Sequence, residues 1–548
     1  MQPSAPRSRD GNRTWTPFIF LFLLIWQIVL VWIFPHFATQ DGPSHLYNAA
    51  LIRRLHDPAW HRLSEFYHMN SRLVPNWLTY AVLAGLYPSF SPATAEKILV
   101  TGYFVFFPLS LAYVFRTLAR DIWPFAIWGL VLASNLFIAM GFYNFCYSLI
   151  FFLLCFGYWM RRNTFGLKQL ITLCALASLL YFSHAVGFFM AAFFIGATAL
   201  YSALEEGRFF TGHKKLQPIL SSSAFIKRVL VPQLAFLPCV AIFLASSTGS
   251  QPQFDPGRRS VLQRLLIFRD LHVLTDTRGV LAILQMCLIG GFLICGSYSV
   301  IKHARKQHEL VTGSALGILA AMCLFLSAIL PWSISGGGML PERMAWFALC
   351  AAVLWISSSN LSKKFQQGTV LVSILTVILG LVGQTEWRYQ LSPLLNAYDD
   401  TARLLEPQKT ILLLCYCNPA DNSKMFASLR IRPLEHAGDL AALKAHAISL
   451  DNYEAMGSAF PVEYNSSVNP ERQSNTISAA SVSSKPQDAD IANYESRSGK
   501  TVDYVLLWGS GPDAPHGGKS ILDQQLEEEY ELTYQSSAPA TLRLFKRK

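Results

Sequence analysis

Residues 16–55 read TPFIFLFLLIWQIVLVWIFPHFATQDGPSHLYNAALIRRL. The first part, to about residue 36, is an unbroken apolar run close to the roughly 20 residues that a membrane-crossing helix needs. It is too long and too aromatic for a cleaved leader, and no small-residue cleavage site follows it, so it is expected to be retained. Directly after it come Asp41 and His45, two titratable groups four residues apart. Asp41 followed by Gly42 and Pro43 has the pattern of an N-cap with proline in the first turn. The spacing of apolar residues in HLYNAALIRRL then predicts an interfacial helix within a first outer loop at 37–72.

Working outward, further apolar runs lie at about 97–117, 122–140, 142–160, 168–185, 186–204, 228–247, 279–301, 311–333, 344–360 and 367–385. A shorter piece at 73–90 is interrupted by Pro75 and Pro88. The composition agrees: 52% of the 548 residues are hydrophobic and only 14% charged, with a mean hydropathy of +0.31, where a soluble domain carries about 25% charged residues. The chain reads as a polytopic α-helical membrane protein of about 11 to 13 transmembrane helices. The net charge of +11 is not interleaved with aromatics as a stacking platform for nucleic acid requires, so no nucleic-acid partner is expected. Eight of the ten cysteines fall in apolar runs, and Cys415 and Cys417, on one face of an extended strand, are poorly placed to bridge each other.

Short loops rich in Lys and Arg stay cytoplasmic. With eleven crossings and residues 73–90 left uncrossed, Arg7/Arg9/Arg13, Arg116/Arg120, Arg161/Arg162/Lys168, Lys214/Lys215/Lys227/Arg228, Lys302/Arg305/Lys306 and Lys363/Lys364 all fall on the cytoplasmic side. The expectation is an integral protein of a bacterial inner (plasma) membrane with a cytoplasmic N-terminus. The loop at 37–72, a loop at 248–278, the turn at 333–344 and everything after about 386 then face outward. The membrane domain is assigned to 1–385. Residues 386–548 are assigned to a small C-terminal α/β domain: EWRYQLSPLLNAYDDTARLL (386–405) reads as an amphipathic helix, KTILLLCYC (409–417) and VDYVLLWG (502–509) as strands, HAGDLAALKAHA (436–447) and ILDQQLEEEY (521–530) as helices. YELTYQ with TLRLFKR suggests a hairpin, and a Ser- and Asn-rich segment near 465–490 reads as a disordered loop. No internal repeat is visible.

Other candidate groups lie at the outer ends of predicted helices. His184 in YFSHAVGF and Tyr143 and Asn144 in GFYNF are polar groups at membrane depth, which are costly unless paired and often line a cavity; bonding to a neighbouring helix explains them equally simply. In GGGMLPERMAWF (336–347) three glycines permit an unusual backbone path, Pro341 starts a helix, and Glu342 and Arg343 occupy its first turn. An arginine there opposes the helix dipole. It reads either as a snorkelling side chain paired with Glu342 or as a clamp in which guanidinium and free helix N–H groups meet a lipid phosphate. The outer stretch with Arg258, Arg259, Arg264, Arg269, Asp255 and Asp270 is explained by anionic headgroups. There is no Walker A loop, dinucleotide fingerprint, HExxH or paired CxxC.

With these residues in place, the chain resembles the GT-C superfamily of membrane glycosyltransferases, which includes protein mannosyltransferases and aminoarabinose transferases. These take a sugar from a polyprenyl-phosphate carrier and deliver it outside the cytoplasm. In that family an acidic residue of the first outer loop acts as base or metal ligand, and Asp41 in QDGPSH occupies that place. The family's frequent pair of adjacent acids is absent, since Gly42 follows Asp41, and His45 stands as the second polar group. LVPNWLTYAVLAGLYPSFSPATAEKIL (73–99) is similar to the region after the first loop, where a basic residue enters the next helix, here Lys97. LPERMAW is similar to late-loop arginines that hold the carrier phosphate, which assigns that role to Arg343.

The resemblance implies inverting transfer to an acceptor hydroxyl on a lipid, glycan or protein, with Asp41 and His45 catalytic and Arg343, Glu342, His184, Asn144, Tyr143 and Lys97 binding substrate. No cofactor is certain; one Asp and one His make a thin site for a divalent metal, whose presence is left open. The rival readings are a transporter or flippase of a lipid-linked saccharide, which predicts ionisable residues strung along a mid-membrane path, and a non-catalytic GT-C-like protein.

Overall fold

The computed structural model describes residues 15–119, 121–162, 165–211, 226–247, 254–255, 260, 262, 272–307, 313–334, 337–359, 361–416, 429–470, 488–509, 519–537 and 541–548. Among them, seven helices are long and apolar enough to cross a membrane: Pro92–Leu118, Trp123–Met140, Tyr143–Met160, Ala185–Leu204, Val280–His303, Leu340–Ser357 and Lys363–Leu404. Four shorter apolar helices, Thr16–Trp32, Leu167–Ser183, Leu237–Ser246 and Ser314–Ile329, accompany them. Their outward faces are apolar: Phe18, Leu21, Phe22, Ile25 and Val29 stand exposed along Thr16–Trp32, and Val280, Ile283, Leu284, Ile294 and Ile301 along the helix that begins at Val280. Contiguous apolar surface of that extent is stable against lipid and not against water. Residues 73–90 hold only the nine-residue helix Leu78–Leu86, about 14 Å long at 1.5 Å per residue, well short of a crossing.

The Lys363–Thr401 helix runs for 39 residues through an internal Pro393. At 1.5 Å per residue it is roughly 58 Å long, about twice a hydrocarbon core, so the apolar run and the amphipathic segment after residue 386 are one continuous strut. It delivers the chain to a mixed five-stranded sheet in the order Ile448–Ser449, Thr410–Cys415, Tyr504–Trp508, Leu542–Arg547, Tyr530–Gln535. The first three strands are parallel and the last two form the expected antiparallel hairpin. Thr410–Leu414 and Tyr504–Trp508 are buried at every position, the near-continuous apolar pattern of strands covered on both faces. Gly438–Ala445, Ile491–Ser498 and Ile521–Glu529 are the helices of this domain. Cys415, the last residue of its strand, is disulfide-bonded, which the reading of an extended Cys-x-Cys does not anticipate. Cys417, residues 471–487 of the Ser-rich segment, and Arg258, Arg259, Arg264, Arg269 and Asp270 lie outside the described residues.

The segment 37–72 and the C-terminal domain pack together. Tyr67–Met69 pairs antiparallel with Val462–Tyr464 in the register Tyr67↔Tyr464 and Met69↔Val462. The Gly42–Arg54 helix is buried at all of its first ten residues, Gly42 to Leu51, rather than lying on an interface: it packs against Gly438–Ala445 on one side and Leu78–Leu86 on another. Removing a side chain from the shared sheet should therefore be costly. Leu412→Ala, at a fully buried position paired with Val505, is expected to destabilise the domain by about 2–5 kcal/mol, measured as a lowered unfolding temperature of the solubilised chain.

Candidate active site

Asp41 sits at the N-cap position of the Gly42–Arg54 helix, yet its side chain accepts no cap hydrogen bond. Thr39 performs that task, its Oγ1 accepting from the Gly42 N–H at 3.1 Å. The carboxylate of Asp41 is thus released from local structure. Its Oδ2 accepts from the Tyr453 hydroxyl at 3.0 Å, while Oδ1 is buried without a hydrogen-bond partner among the described residues. One turn on, His45 N donates to the Asp41 carbonyl at 3.1 Å, which fixes both side chains at the same end of the helix. The His45 ring lies between Tyr80 and Tyr143, with centroids 5.4 and 5.5 Å away.

The surroundings are rich in buried carboxyl groups, most of them from the C-terminal domain. Glu454 Oε1 lies 2.6 Å from His45 Nδ1. Asp439 accepts from Ser44 at 2.5 Å and from Ser449 at 2.8 Å. His436, stacked on Tyr453 with centroids 4.5 Å apart, stands between Asp41 at 4.0 Å and Asp451 at 3.9 Å. Asp41, His45, His436, Asp451 and Glu454 are each at most 6% exposed. Burial raises the Asp41 carboxyl to about 7, with Glu435 and Glu454 adding to it against the opposing pull of His45. Burial likewise raises Asp439 to about 7, opposed by its two serine partners, and raises Asp451. His436 is pushed down to about 3 by burial and by the nearby His45, so it is neutral at ordinary pH. For His45, burial alone would favour the neutral ring, but Glu454 and Asp41 outweigh it and hold its pKa above the usual value.

Glu96 supplies a further carboxylate from the Pro92–Leu118 helix. The Tyr143 hydroxyl donates to its Oε1 at 2.5 Å and lies 3.3 Å from Thr39 Oγ1. A Cβ on Gly42 would fall 2.2 Å from Thr39 Oγ1, 2.5 Å from Glu96 Oε1 and 2.7 Å from the Tyr143 oxygen. Gly42 therefore admits Glu96 to the space that a side chain at position 42 would fill. Lys97, next to it, turns away: its Nζ donates to the Phe34 carbonyl at 2.5 Å and lies 5.7 Å from the Trp32 ring. Asn144 is fully used in structure, donating to the Asn76 carbonyl and accepting from the Thr79 N–H, both at 3.0 Å.

Arg343 and His184 form a second group. Arg343 Nε donates to the Gly338 carbonyl at 3.0 Å, and Nη1 lies 2.5 Å from His184 Nε2. The guanidinium packs over Phe145 and Phe142 at 4.5 and 5.1 Å from their centroids. The left-handed residue that starts the Leu340–Ser357 helix is Met339, at φ 58°, not one of the described glycines. Glu342 is buried in the first turn. Arg343 and Asp41 share no hydrogen bond or ion pair among the described residues; both border the 137–145 segment. Asp41 N donates to the Met140 carbonyl at 2.9 Å, and Gly141, at φ +89°, packs so close that a Cβ would meet Gly42 N at 2.7 Å.

Among the described residues no group of three or more His, Cys, Asp or Glu side chains is placed to hold a metal ion. Comparison with protein-family models and with curated proteins finds no match for this chain. The sequence reading did not select Glu96, Tyr80, His436, Asp439, Asp451, Tyr453 or Glu454. Glu96 carried a usable signal, an acid inside an apolar helix.

Two outcomes are expected. Because Asp41 keeps its proton to about 7 against 3.8 in a free carboxyl, the folded protein binds more protons than the unfolded chain between those values, and its stability falls as pH rises through that window. Asp41→Asn, which does not titrate, should flatten the fall and be at least as heat-stable as the parent at pH 8 by scanning fluorimetry. Gly42→Ala should cost about 1–3 kcal/mol through overpacking, read in the same assay.

Proposed function

We propose that this protein is a GT-C-like glycosyltransferase that moves a hexosyl or pentosyl group, with inversion, from a polyprenyl-phosphate carrier to an acceptor hydroxyl on the extracytoplasmic side of a bacterial plasma membrane. The observation that carries the reading is Asp41: a carboxyl shortly after the first apolar helix that caps nothing, has one buried oxygen without a hydrogen-bond partner among the described residues, and is raised to about 7 by burial. A general base works best with a pKa near the operating pH. Asp41 Oδ1 takes the proton of the acceptor hydroxyl as its oxygen attacks the anomeric carbon. The bond from that carbon to the carrier phosphate breaks, and the phosphate leaves with the electron pair.

Arg343 suits the departing phosphate. Its guanidinium presents a planar fork of N–H donors, an arrangement favourable to an oxyanion whose charge grows in the transition state, and His184, whose Nε2 lies 2.5 Å from Nη1, helps to hold it in place. Glu96, which occupies the gap left by Gly42, is the candidate for a second acid beside Asp41 in this reading. The disulfide at Cys415 supports an oxidising, extracytoplasmic location for the C-terminal domain. An acceptor on a lipid, glycan or protein fits equally.

Asp41→Asn, assayed with carrier-linked radiolabelled sugar in proteoliposomes, is expected to lower transfer by about 10²–10⁴-fold while carrier binding persists. Arg343→Lys, which keeps the charge and loses the planar fork, should weaken carrier binding and transfer together. Transfer at the parental rate in Asp41→Asn would refute the catalytic reading, and carrier translocation without any bond formation in the parent would favour a flippase.

A further inference from the structure

His45 is held by a group that the sequence places more than 400 residues away. Its Nδ1 lies 2.6 Å from Glu454 Oε1 and 2.7 Å from the Tyr80 hydroxyl oxygen. The Tyr80 hydroxyl donates to Glu454 Oε2 in a very short contact, and Asn48 Nδ2 donates to that same oxygen at 2.6 Å. With its proton committed to Glu454, Tyr80 offers Nδ1 only lone pairs. Nδ1 therefore faces two acceptors and must carry the ring proton. Nε2 is then the free end of the ring, a lone pair in the neutral form and an N–H in the charged one. It is buried without a hydrogen-bond partner among the described residues, as is Asp41 Oδ1. The two unfilled atoms belong to side chains one helical turn apart, and buried polar atoms left unpaired in a folded protein call for an explanation.

Resting on the reading of Asp41 and His45 as the reacting groups, we infer that Glu454 of the C-terminal domain is the positioning residue of this site: it fixes the His45 tautomer and leaves Nε2 as the end of the ring that meets the substrate. The reacting pair is then complete only while the C-terminal domain is seated on the first outer loop. Carboxylate, imidazole and substrate stand in the order by which an acid orients a histidine for proton transfer elsewhere in enzymology. Among the described residues His45 is the one cationic partner of Glu454, whose oxygens also accept from Tyr80, Asn48 and, at 3.3 Å, the Tyr453 hydroxyl.

The test reads His45 directly, without requiring sugar transfer. Exchange of the His45 Cε1 hydrogen for deuterium, followed by mass spectrometry across pH on the full-length protein in nanodiscs, reports the protonation midpoint of that ring. The titratable and charged groups facing it are Asp41, Glu96, Glu454, Tyr80, Tyr143, Tyr453 and His436. Glu454→Gln keeps the shape and removes the charge, and is expected to lower the midpoint by about one pH unit or more, the size of effect an adjacent opposite charge produces. Glu454→Asp keeps the charge one methylene further off and should lower it by less. A structural role alone would leave the midpoint unmoved, so a parental midpoint in either folded variant overturns the inference. If the midpoint moves but the parent transfers no sugar from any polyprenyl phosphate, the link between Glu454 and His45 stands and the glycosyltransferase reading fails.

Discussion

The molecule depends on a polar seam that neither side completes alone. Ser44 and Asn48, on successive turns of the Gly42–Arg54 helix, point into the C-terminal domain, where Asp439 receives the first and Asn452 and Glu454 the second. Asn48 and Asn452 exchange hydrogen bonds at 2.9 Å in both directions, and Tyr47 and Tyr67 donate to the carbonyls of Ala447 and Ser449. Buried groups of this kind are worth little net when paired and cost several times more when left unpaired. The seam therefore specifies one docking geometry rather than adding much gross stability. Apolar contacts of the sheet and helices supply the bulk of the holding energy.

Docking in that geometry has an electrostatic consequence. It gathers Asp41, Asp439, Asp451 and Glu454 into a volume with little water, where each ionisation opposes the next. Asp41 and Asp439 respond by holding protons to near neutrality, while His436 sheds its charge and the carboxylate of Glu454 draws the pKa of His45 upward. Arg343 and His184 stand apart from this anionic group, across the turn at Gly141, in a cage of phenylalanine rings. That segregation is what the proposed displacement at a sugar carried on a phosphate would use, and a direct Asp41–Arg343 ion pair would defeat it.

The membrane helices and the α/β tail were legible because apolar periodicity is a local property: each run, and each strand or helix of the domain, is written in ten to twenty consecutive residues. Asp41 and His45 were legible for a related reason, as ionisable groups stranded at the end of an apolar run. Glu96 was passed over for Lys97 because neighbours on a helix point about 100° apart, and only packing decides which turns inward. Capping by Thr39 in place of Asp41 was likewise hidden, since both residue types serve. Glu454 and Asp451 lie in a segment without periodicity and His436 at the very start of the helical pattern 436–447, and nothing in their local sequence announces that they will meet residues from the start of the chain. Contact between such remote segments is a property of the tertiary fold alone.

That remoteness bears on how the protein is made. Tyr67 and Tyr464, partners in the strand pair that ties the first loop to the tail, are 397 residues apart. At about 5–20 residues per second of synthesis, the loop emerges on the order of 20–80 seconds before its partner strand exists. Throughout that interval Ser44, Asn48 and Tyr67 have only solvent to bond with, and a strand edge stands open. The nascent loop is thus a stretch that must be shielded by a holdase or by rapid completion of the chain, and truncation anywhere before residue 464 leaves it permanently unpaired.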